Sequence, residues 1–171
     1  MYYVYLGYVT VAKNQKNCGS CVAFASVGMV ETAMIKAGAK KEGMDLSEDW
    51  LINCRQDGQT NVCKGTNIDT YAKYMLDTDG FIHENSSPYT TQFGSDLGPC
   101  VTKPYWSPGY EIEDYATEWG PGMDKEKELV TDEQIMMQIM EYGASIIGIY
   151  CSNQGSMPVM NYKKGVIDTC R

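Results

Sequence analysis

The strongest constraint on the fold is an apolar stripe within residues 21–37. Its members recur at spacings of four, three and four residues, as they do on one face of an α-helix: Ala23, Val27, Val30 and Met34. Small residues on the other faces favour close packing against neighbouring elements, and Gly38 provides a stop signal. The pattern predicts a central, buried helix that begins at Cys21.

Capping residues mark three further helices. Ser47 can cap a short helix, and Asn67 can cap another one that Gly80 ends. Farther along the chain, Thr131 and Gln134 form a capping box that opens a fourth helix. The residues of that helix expected to face inward are Ile135, Met136, Ile139 and Met140.

The second half of the chain has a different pattern. Prolines and small polar residues between Phe81 and Pro108 predict irregular structure. Apolar and polar residues alternate around Ile112, which predicts a strand. The apolar run at residues 146–150 predicts a buried strand, and residues 162–168 are a last strand candidate. We therefore expect a helical part followed by a β-rich part, which is an α+β fold class.

Seven cysteines are scattered among the predicted loops: Cys18, Cys21, Cys54, Cys63, Cys100, Cys151 and Cys170. This scatter favours disulfides in an oxidising compartment over a zinc site, and we expect neither a metal nor a cofactor. A dithiol redox motif at Cys18 and Cys21 is an alternative. The odd count leaves at least one thiol unpaired.

Charge and hydropathy exclude some partners. The net charge of −8 gives a field that repels phosphate backbones and anionic lipid surfaces, so nucleic acid and membranes are not expected partners. No segment approaches a membrane-spanning length, and residues 1–7 carry no basic targeting region. A location outside the cell or in lysosomes would require a signal peptide and a propeptide beyond this chain.

The segment around Cys21 carries a specific motif. Residues 15–24, QKNCGSCVAF, closely resemble the nucleophile segment of papain-like cysteine peptidases, although Val22 stands where that family usually has an aromatic residue. Further similar stretches are residues 9–15, 46–54, 80–89 and 161–170.

The resemblance covers nearly the whole chain and implies a two-lobe architecture. It implies a single papain-like peptidase domain over residues 1–171. Residues 8–107 would form a helical lobe around the central helix, and residues 108–171 would form a lobe with an incomplete antiparallel β-barrel.

The resemblance also implies roles for individual residues. Cys21 would be the thiolate that attacks a peptide carbonyl, and its backbone N–H together with the Gln15 side-chain amide would donate to the oxyanion. Substrate would contact Gly19, Ser20, Gly65, Thr66, Asn67 and Ile147. Thr66 replaces a residue that is usually glycine, so we expect its branched side chain to narrow or reshape the cleft.

Disulfide pairings follow from the same resemblance. It implies one bridge between Cys18 and Cys63 and another between Cys54 and Cys100. Cys170 is similar to the first half of a third bridge whose partner lies outside this chain. Cys151 has no counterpart, and we expect it to be a buried thiol.

The catalytic base is the missing part. The family has a histidine and then an asparagine late in its sequence, both expected beyond Arg171, whereas this chain has one histidine, His83, in a loop. A helix N-terminus stabilises an anion by at most about 2 kcal/mol, which lowers a pKa by about 1.5. A histidine-paired cysteine has a pKa roughly 5 below that of a free thiol, so the helix alone cannot replace the histidine.

Alone, the chain is therefore expected to be inactive as a peptidase. A second chain carrying the histidine and the asparagine is one expected partner, besides a protein or peptide substrate. The alternative is a non-catalytic relative that binds peptides or serves as a structural component of an assembly.

Overall fold

The computed structural model describes residues 7–55, 57–78, 80–91, 96–103, 112 and 131–147. These residues form four α-helices and one 3-10 turn. The helices are α1 (Cys21–Lys36), α2 (Glu48–Asn53), α3 (Ile68–Leu76) and α4 (Asp132–Tyr142), and the 3-10 turn is Glu84–Ser86. In the described residues, β pairing is limited to isolated bridges that join Leu46 with His83 and Asn61 with Asp96.

Helix α1 confirms the prediction of a central, buried helix. All four residues of the apolar stripe are buried, and Ala23 is fully enclosed. The helix ends at Lys36, next to the predicted stop. Both α2 and α3 pack against it, so α1 holds its first residue, Cys21, at a fixed edge of the core.

The core beneath α1 consists of large side chains from α2, α3 and the adjoining loops. The Trp50 ring lies 6.0 Å from the Phe81 ring and 5.4 Å from the Tyr74 ring, measured between centroids. Leu46 and Ile82 belong to the same core and are almost completely buried. Each such side chain contributes about 1.5–3 kcal/mol when it leaves water, so this region can hold the loops around Cys21 in place.

Helix α4 starts with the predicted capping box, in which Thr131 and Gln134 bond to each other's backbone N–H. At its other end, the Lys36 ammonium donates to the carbonyls of Met140 and Glu141, where a cation is favourable. This links α4 to the end of α1.

The prediction of which residues of α4 face inward was right for two residues and wrong for the other two. Ile135 and Ile139 are half-buried as expected. Met136 and Met140, however, are 54% and 73% exposed, because the helix packs through the isoleucine side and leaves the methionines in solvent.

Most of the predicted second lobe lies outside the described residues. This applies to the boundary at residues 107 and 108, to Cys151 and Cys170, and to the strand expected at 162–168. Ile112 is described without regular structure and is half-buried. The division into two lobes and the barrel therefore stay predictions.

Candidate active site

Cys21 is the first residue of α1 and is exposed. It is the free cysteine among the described residues. The N-cap residue Ser20 makes no side-chain cap bond, and the first turn contains no acidic side chain. The backbone N–H groups of a first helical turn have no partner within their helix, so this end of α1 presents donors without a built-in anion.

Both disulfides implied by the resemblance are present where the structure describes the cysteines. Cys18 is bonded to Cys63, and Cys54 is bonded to Cys100. Cys18 is therefore not bridged to Cys21, which speaks against a dithiol redox pair. The first bridge ties the chain just before Cys21 to a loop 45 residues farther along.

Gly19 brings that loop unusually close to the nucleophile segment. Its N–H donates to the Cys63 carbonyl oxygen at 3.2 Å. A Cβ added at Gly19 would lie 2.3 Å from the same oxygen and 3.4 Å from the Gly65 nitrogen. Only glycine allows this approach, and Gly65 itself has a φ of +84°. The segment from Cys63 to Gly65 thus lies directly against the residues that precede Cys21.

The Gln15 side chain also bonds to the residues that precede Cys21. Its Nε2 donates to the Cys18 carbonyl oxygen at 2.8 Å. The turn that makes this possible contains Lys16 in the left-handed region, with a φ of +54°, and the Lys16 N–H donates to Asn14 Oδ1 at 2.8 Å. A primary amide has two N–H donors, so one donor of Gln15 is left beyond this bond.

Tyr89 joins the two segments. Its hydroxyl donates to the Gln15 carbonyl oxygen at 2.9 Å and lies 2.9 Å from Ser20 Oγ. The ring packs edge-on against Phe24 at 4.9 Å, and the Tyr89 N–H donates to Glu84 Oε1 at 2.7 Å. Burial raises the pKa of the Tyr89 phenol, and the bond from Ser20 opposes that rise. Sequence reasoning gave Tyr89 no role, because its partners are 69 and 74 residues away.

The Thr66 hydroxyl forms its hydrogen bond within its own loop. It donates to Asp57 Oδ2 at 2.7 Å, and Asp57 also accepts from the Arg55 Nε and the Gln59 N–H. Burial would raise the pKa of Asp57, but these three hydrogen bonds outweigh it and hold the pKa below its ordinary value. Asn67, the next residue, caps α3 by accepting from a backbone N–H. Both side chains therefore have partners within the described residues.

The remaining candidates lie apart from this arrangement. Ile147 is 60% exposed, and its place in a side-chain pocket stays a prediction. His83 has both ring nitrogens engaged: Nδ1 accepts from the Asn85 N–H at 3.1 Å, and Nε2 lies 3.0 Å from the Gly43 carbonyl oxygen. A nitrogen that accepts carries no proton, so Nε2 carries it and donates to Gly43.

Lys13, two residues before Gln15, lies in a charged cluster that the sequence did not reveal. The Lys13 ammonium lies 3.1, 2.8 and 3.0 Å from carboxylate oxygens of Glu31, Asp45 and Glu48. Burial would lower the pKa of Lys13, but the bond to Asp45 and the charges of the two glutamates raise it overall. Burial raises the pKa of Glu48 to about 7, although the charge of Lys13 and its hydrogen bond oppose the rise.

Beside this cluster is a cavity of about 220 Å³, whose walls include Phe24, Tyr89 and Glu48. Within the described part of the chain, no group of three or more His, Cys, Asp or Glu side chains is arranged to hold a metal ion. None of the helices described there is long and apolar enough to cross a membrane.

Comparison with known proteins decides the family. The family model for papain family cysteine proteases matches residues 5–171. The chain belongs to the papain family. Cysteine proteinase 4 from Dictyostelium discoideum is 37% identical to it over 91 residues, which are 53% of this chain and 21% of that protein. Peptidase 1 from Psoroptes ovis is 30% identical over 135 residues, 79% of this chain and 38% of that protein.

A solved structure agrees in fold. Bromelain protease from Ananas comosus, in complex with the E64 inhibitor, matches with a TM-score of 0.51 and 29% sequence identity, over 62% of this chain and 46% of bromelain. The fold is thus that of the papain-like α+β proteases. In the two curated relatives described above, the matched region spans between about a fifth and two fifths of the relative's length.

Proposed function

We propose that this protein supplies the nucleophile of a cysteine endopeptidase that hydrolyses peptide bonds through an acyl-enzyme. The observation that carries the proposal is the free, exposed Cys21 at an uncapped helix start, with the Gln15 amide bonded to the Cys18 carbonyl oxygen three residues upstream. Membership of the papain family supports the same reaction.

The nucleophile and the oxyanion donors come from this site, and the base comes from elsewhere. The Cys21 thiolate attacks the peptide carbonyl carbon, and the oxyanion receives hydrogen bonds from the Cys21 N–H and from the second N–H of Gln15. The base that accepted the Cys21 proton then delivers it to the leaving amine as the C–N bond breaks. Water next adds to the acyl carbon, the C–S bond breaks, and the carboxylic acid leaves with the Cys21 thiol restored. Two donors aimed at the developing charge are worth about 3 kcal/mol each in related sites.

We also propose where an extended peptide lies. The segment from Cys63 to Gly65 packs against Gly19 and has a left-handed glycine at its end. Such backbone can pair with a substrate main chain. The Thr66 hydroxyl donates to Asp57. The expected narrowing of the cleft by Thr66 therefore does not come from its hydroxyl group.

The general base comes from outside these 171 residues in this proposal. The sequence contains one histidine, and both of its ring nitrogens are engaged with Gly43 and Asn85. A second chain, or further sequence, that carries a histidine and an asparagine would complete the site.

The test is hydrolysis of a fluorogenic peptide amide. We expect no hydrolysis by the 171-residue chain alone, and hydrolysis once the polypeptide carrying the histidine and asparagine is joined or added. Cys21→Ala should abolish that activity, whereas His83→Gln, the matched control, should keep it within about twofold. Activity that survives Cys21→Ala would refute the nucleophile, and activity lost in a folded His83→Gln variant would refute the external base.

A second candidate is a non-catalytic relative that binds peptides or supports an assembly. The observation that favours it is the engagement of the single histidine in its own loop. It predicts peptide binding by the chain without hydrolysis under every condition of the test above.

The two disulfides support an oxidising location, and we propose an extracellular or lysosomal one. The net charge of −8 supports a protein or peptide substrate over nucleic acid or a membrane surface.

A further inference from the structure

Tyr89 contacts both segments that carry the proposed oxyanion donors. We propose that Tyr89 is a positioning residue: its bond to the Ser20 hydroxyl holds Ser20 in the non-extended conformation that does not cap α1, and the amide groups beside Cys21 stay free for anions. This inference rests on the proposed function of Cys21, and it concerns how the neighbouring groups prepare that thiol.

The other helix starts show which backbone conformation accompanies capping in this protein. Ser47 caps its helix even though its hydroxyl also donates to the Ser87 carbonyl oxygen. Ser47, Asn67 and Thr131 have extended backbones, with ψ angles of 121°, 149° and 159°, and each side chain accepts a backbone N–H of its helix. Ser20 has a ψ of 16° and makes no such bond. A residue type that favours the N-cap position is therefore present at α1 but is not used as a cap.

Proton counting fixes the direction of the bonds around Tyr89. A phenol has one proton, and the Gln15 carbonyl oxygen can only accept, so Tyr89 donates to Gln15. The Ser20 hydroxyl must then donate to the Tyr89 oxygen. Since both bonds meet at one oxygen atom, removing that atom releases Ser20 and Gln15 together.

The Tyr89 ring is held by contacts that do not involve its hydroxyl. Phe24 packs edge-on against the ring, the Lys16 ammonium lies 5.8 Å from the ring centroid, and Glu84 accepts from the Tyr89 N–H. Tyr89→Phe should therefore keep the ring in place and delete only the oxygen. The freed Ser20 can then adopt an extended backbone and accept from the amides of the first turn.

The test measures how fast Cys21 reacts with iodoacetamide in the folded chain, quantified on the Cys21 peptide by mass spectrometry. We expect Tyr89→Phe to slow the reaction about threefold to tenfold at pH 7, the loss of roughly one hydrogen bond, and to move the pH–rate profile to higher pH. Tyr74→Phe is the matched control, because its hydroxyl lies 3.9 Å from Cys100 Sγ and its ring packs on Trp50. Equal rates and profiles in the two variants would overturn the inference.

A double-mutant cycle separates this role from a merely structural one. If Tyr89 acts through Ser20, Tyr89→Phe should have no additional effect on the alkylation rate in a Ser20→Ala background. The same slowing in both backgrounds would show that Ser20 is not involved and would overturn the inference. Alkylation does not require hydrolysis, so these outcomes are independent of whether Cys21→Ala abolishes peptidase activity.

If Tyr89→Phe does not fold, which a non-cooperative melting curve would show, a second measurement tests the bond between Ser20 and Tyr89 without that variant. Tyrosine labelled with ¹³C at Cζ gives an NMR resonance that reports on its hydroxyl group. Ser20→Ala removes the donor to Tyr89, so we expect the Tyr89 resonance to move and its ionisation midpoint to rise. An unmoved resonance would show that the two hydroxyls are not bonded, and it would overturn the inference.

Discussion

The N-termini of α1 and α2 use the same residue types in opposite ways. Both helices follow a buried serine, Ser20 and Ser47. Ser47 caps α2 through the Trp50 N–H, and the first turn of α2 carries two acidic side chains, Glu48 and Asp49.

At α1 the serine bonds to Tyr89 instead, and the first residue is the exposed thiol of Cys21. The start of α2 is thus capped by a side chain of its own, whereas the start of α1 has neither a side-chain cap nor an acidic residue in its first turn. The comparison teaches that the serine before a helix caps it where the serine backbone is extended, as at Ser47, and does not cap it at Ser20.

The largest expected effect tests the approach to α1. Gly19→Ala places a Cβ 2.3 Å from the Cys63 carbonyl oxygen, so the backbone must move, and we expect a loss of about 3 kcal/mol in unfolding free energy. Gly28→Ala is the control. It lies within α1, where a Cβ meets nothing within 4 Å, and should gain about 1 kcal/mol.

Both glycine variants are measured by urea denaturation, with Cys21 alkylation as a second readout. Gly19→Ala should also change the alkylation rate, whereas Gly28→Ala should not. Equal stability of the two variants would mean that the loop does not press on the nucleophile segment.

The next effect tests the carboxyl group of Glu48 at the start of α2. Glu48 has a pKa of about 7 in the folded state, raised by burial from an ordinary 4.5. The folded state binds this proton more tightly than the unfolded state does, so the group's stabilising contribution is complete below pH 4.5 and is lost as the pH rises through 7. Relative to Glu48→Gln, which cannot ionise, the wild type should lose about 2 kcal/mol over that window.

Thermal or urea unfolding between pH 4 and 8 checks this difference. Glu133→Gln, an exposed carboxyl in the first turn of α4, is the control and should follow the wild-type curve. Parallel curves for wild type and Glu48→Gln would contradict a raised pKa.

The smallest effect compares the two serines directly. Ser47→Ala removes a cap to the Trp50 N–H and a 2.5 Å bond to the Ser87 carbonyl oxygen, so we expect a cost of about 2 kcal/mol. Ser20→Ala removes a single side-chain hydrogen bond and should cost about 1 kcal/mol. Chemical denaturation decides the order, and a larger cost at Ser20 would mean that it stabilises α1 after all.

Local patterns predicted the parts of this molecule that depend on near neighbours. The stripe from Ala23 to Met34 predicted α1 because burial on one helix face requires that spacing. Ser47, Asn67 and Thr131 predicted helix starts because each cap bond closes within a few residues. The exposure of Met136 and Met140 was missed, since periodicity gives the apolar face of a helix but not how much of it is covered.

The sequence by itself determined the helices, the family resemblance and the identity of the proposed nucleophile, because these depend on short patterns: helix caps, an apolar stripe and the motif around Cys21. Only the tertiary structure decided which residues serve that nucleophile. Tyr89 meets Gln15 and Ser20 across about seventy residues of chain, and Lys13 gathers three carboxylates from separate elements. Such contacts arise from the packing of the whole core, and no local spacing encodes them.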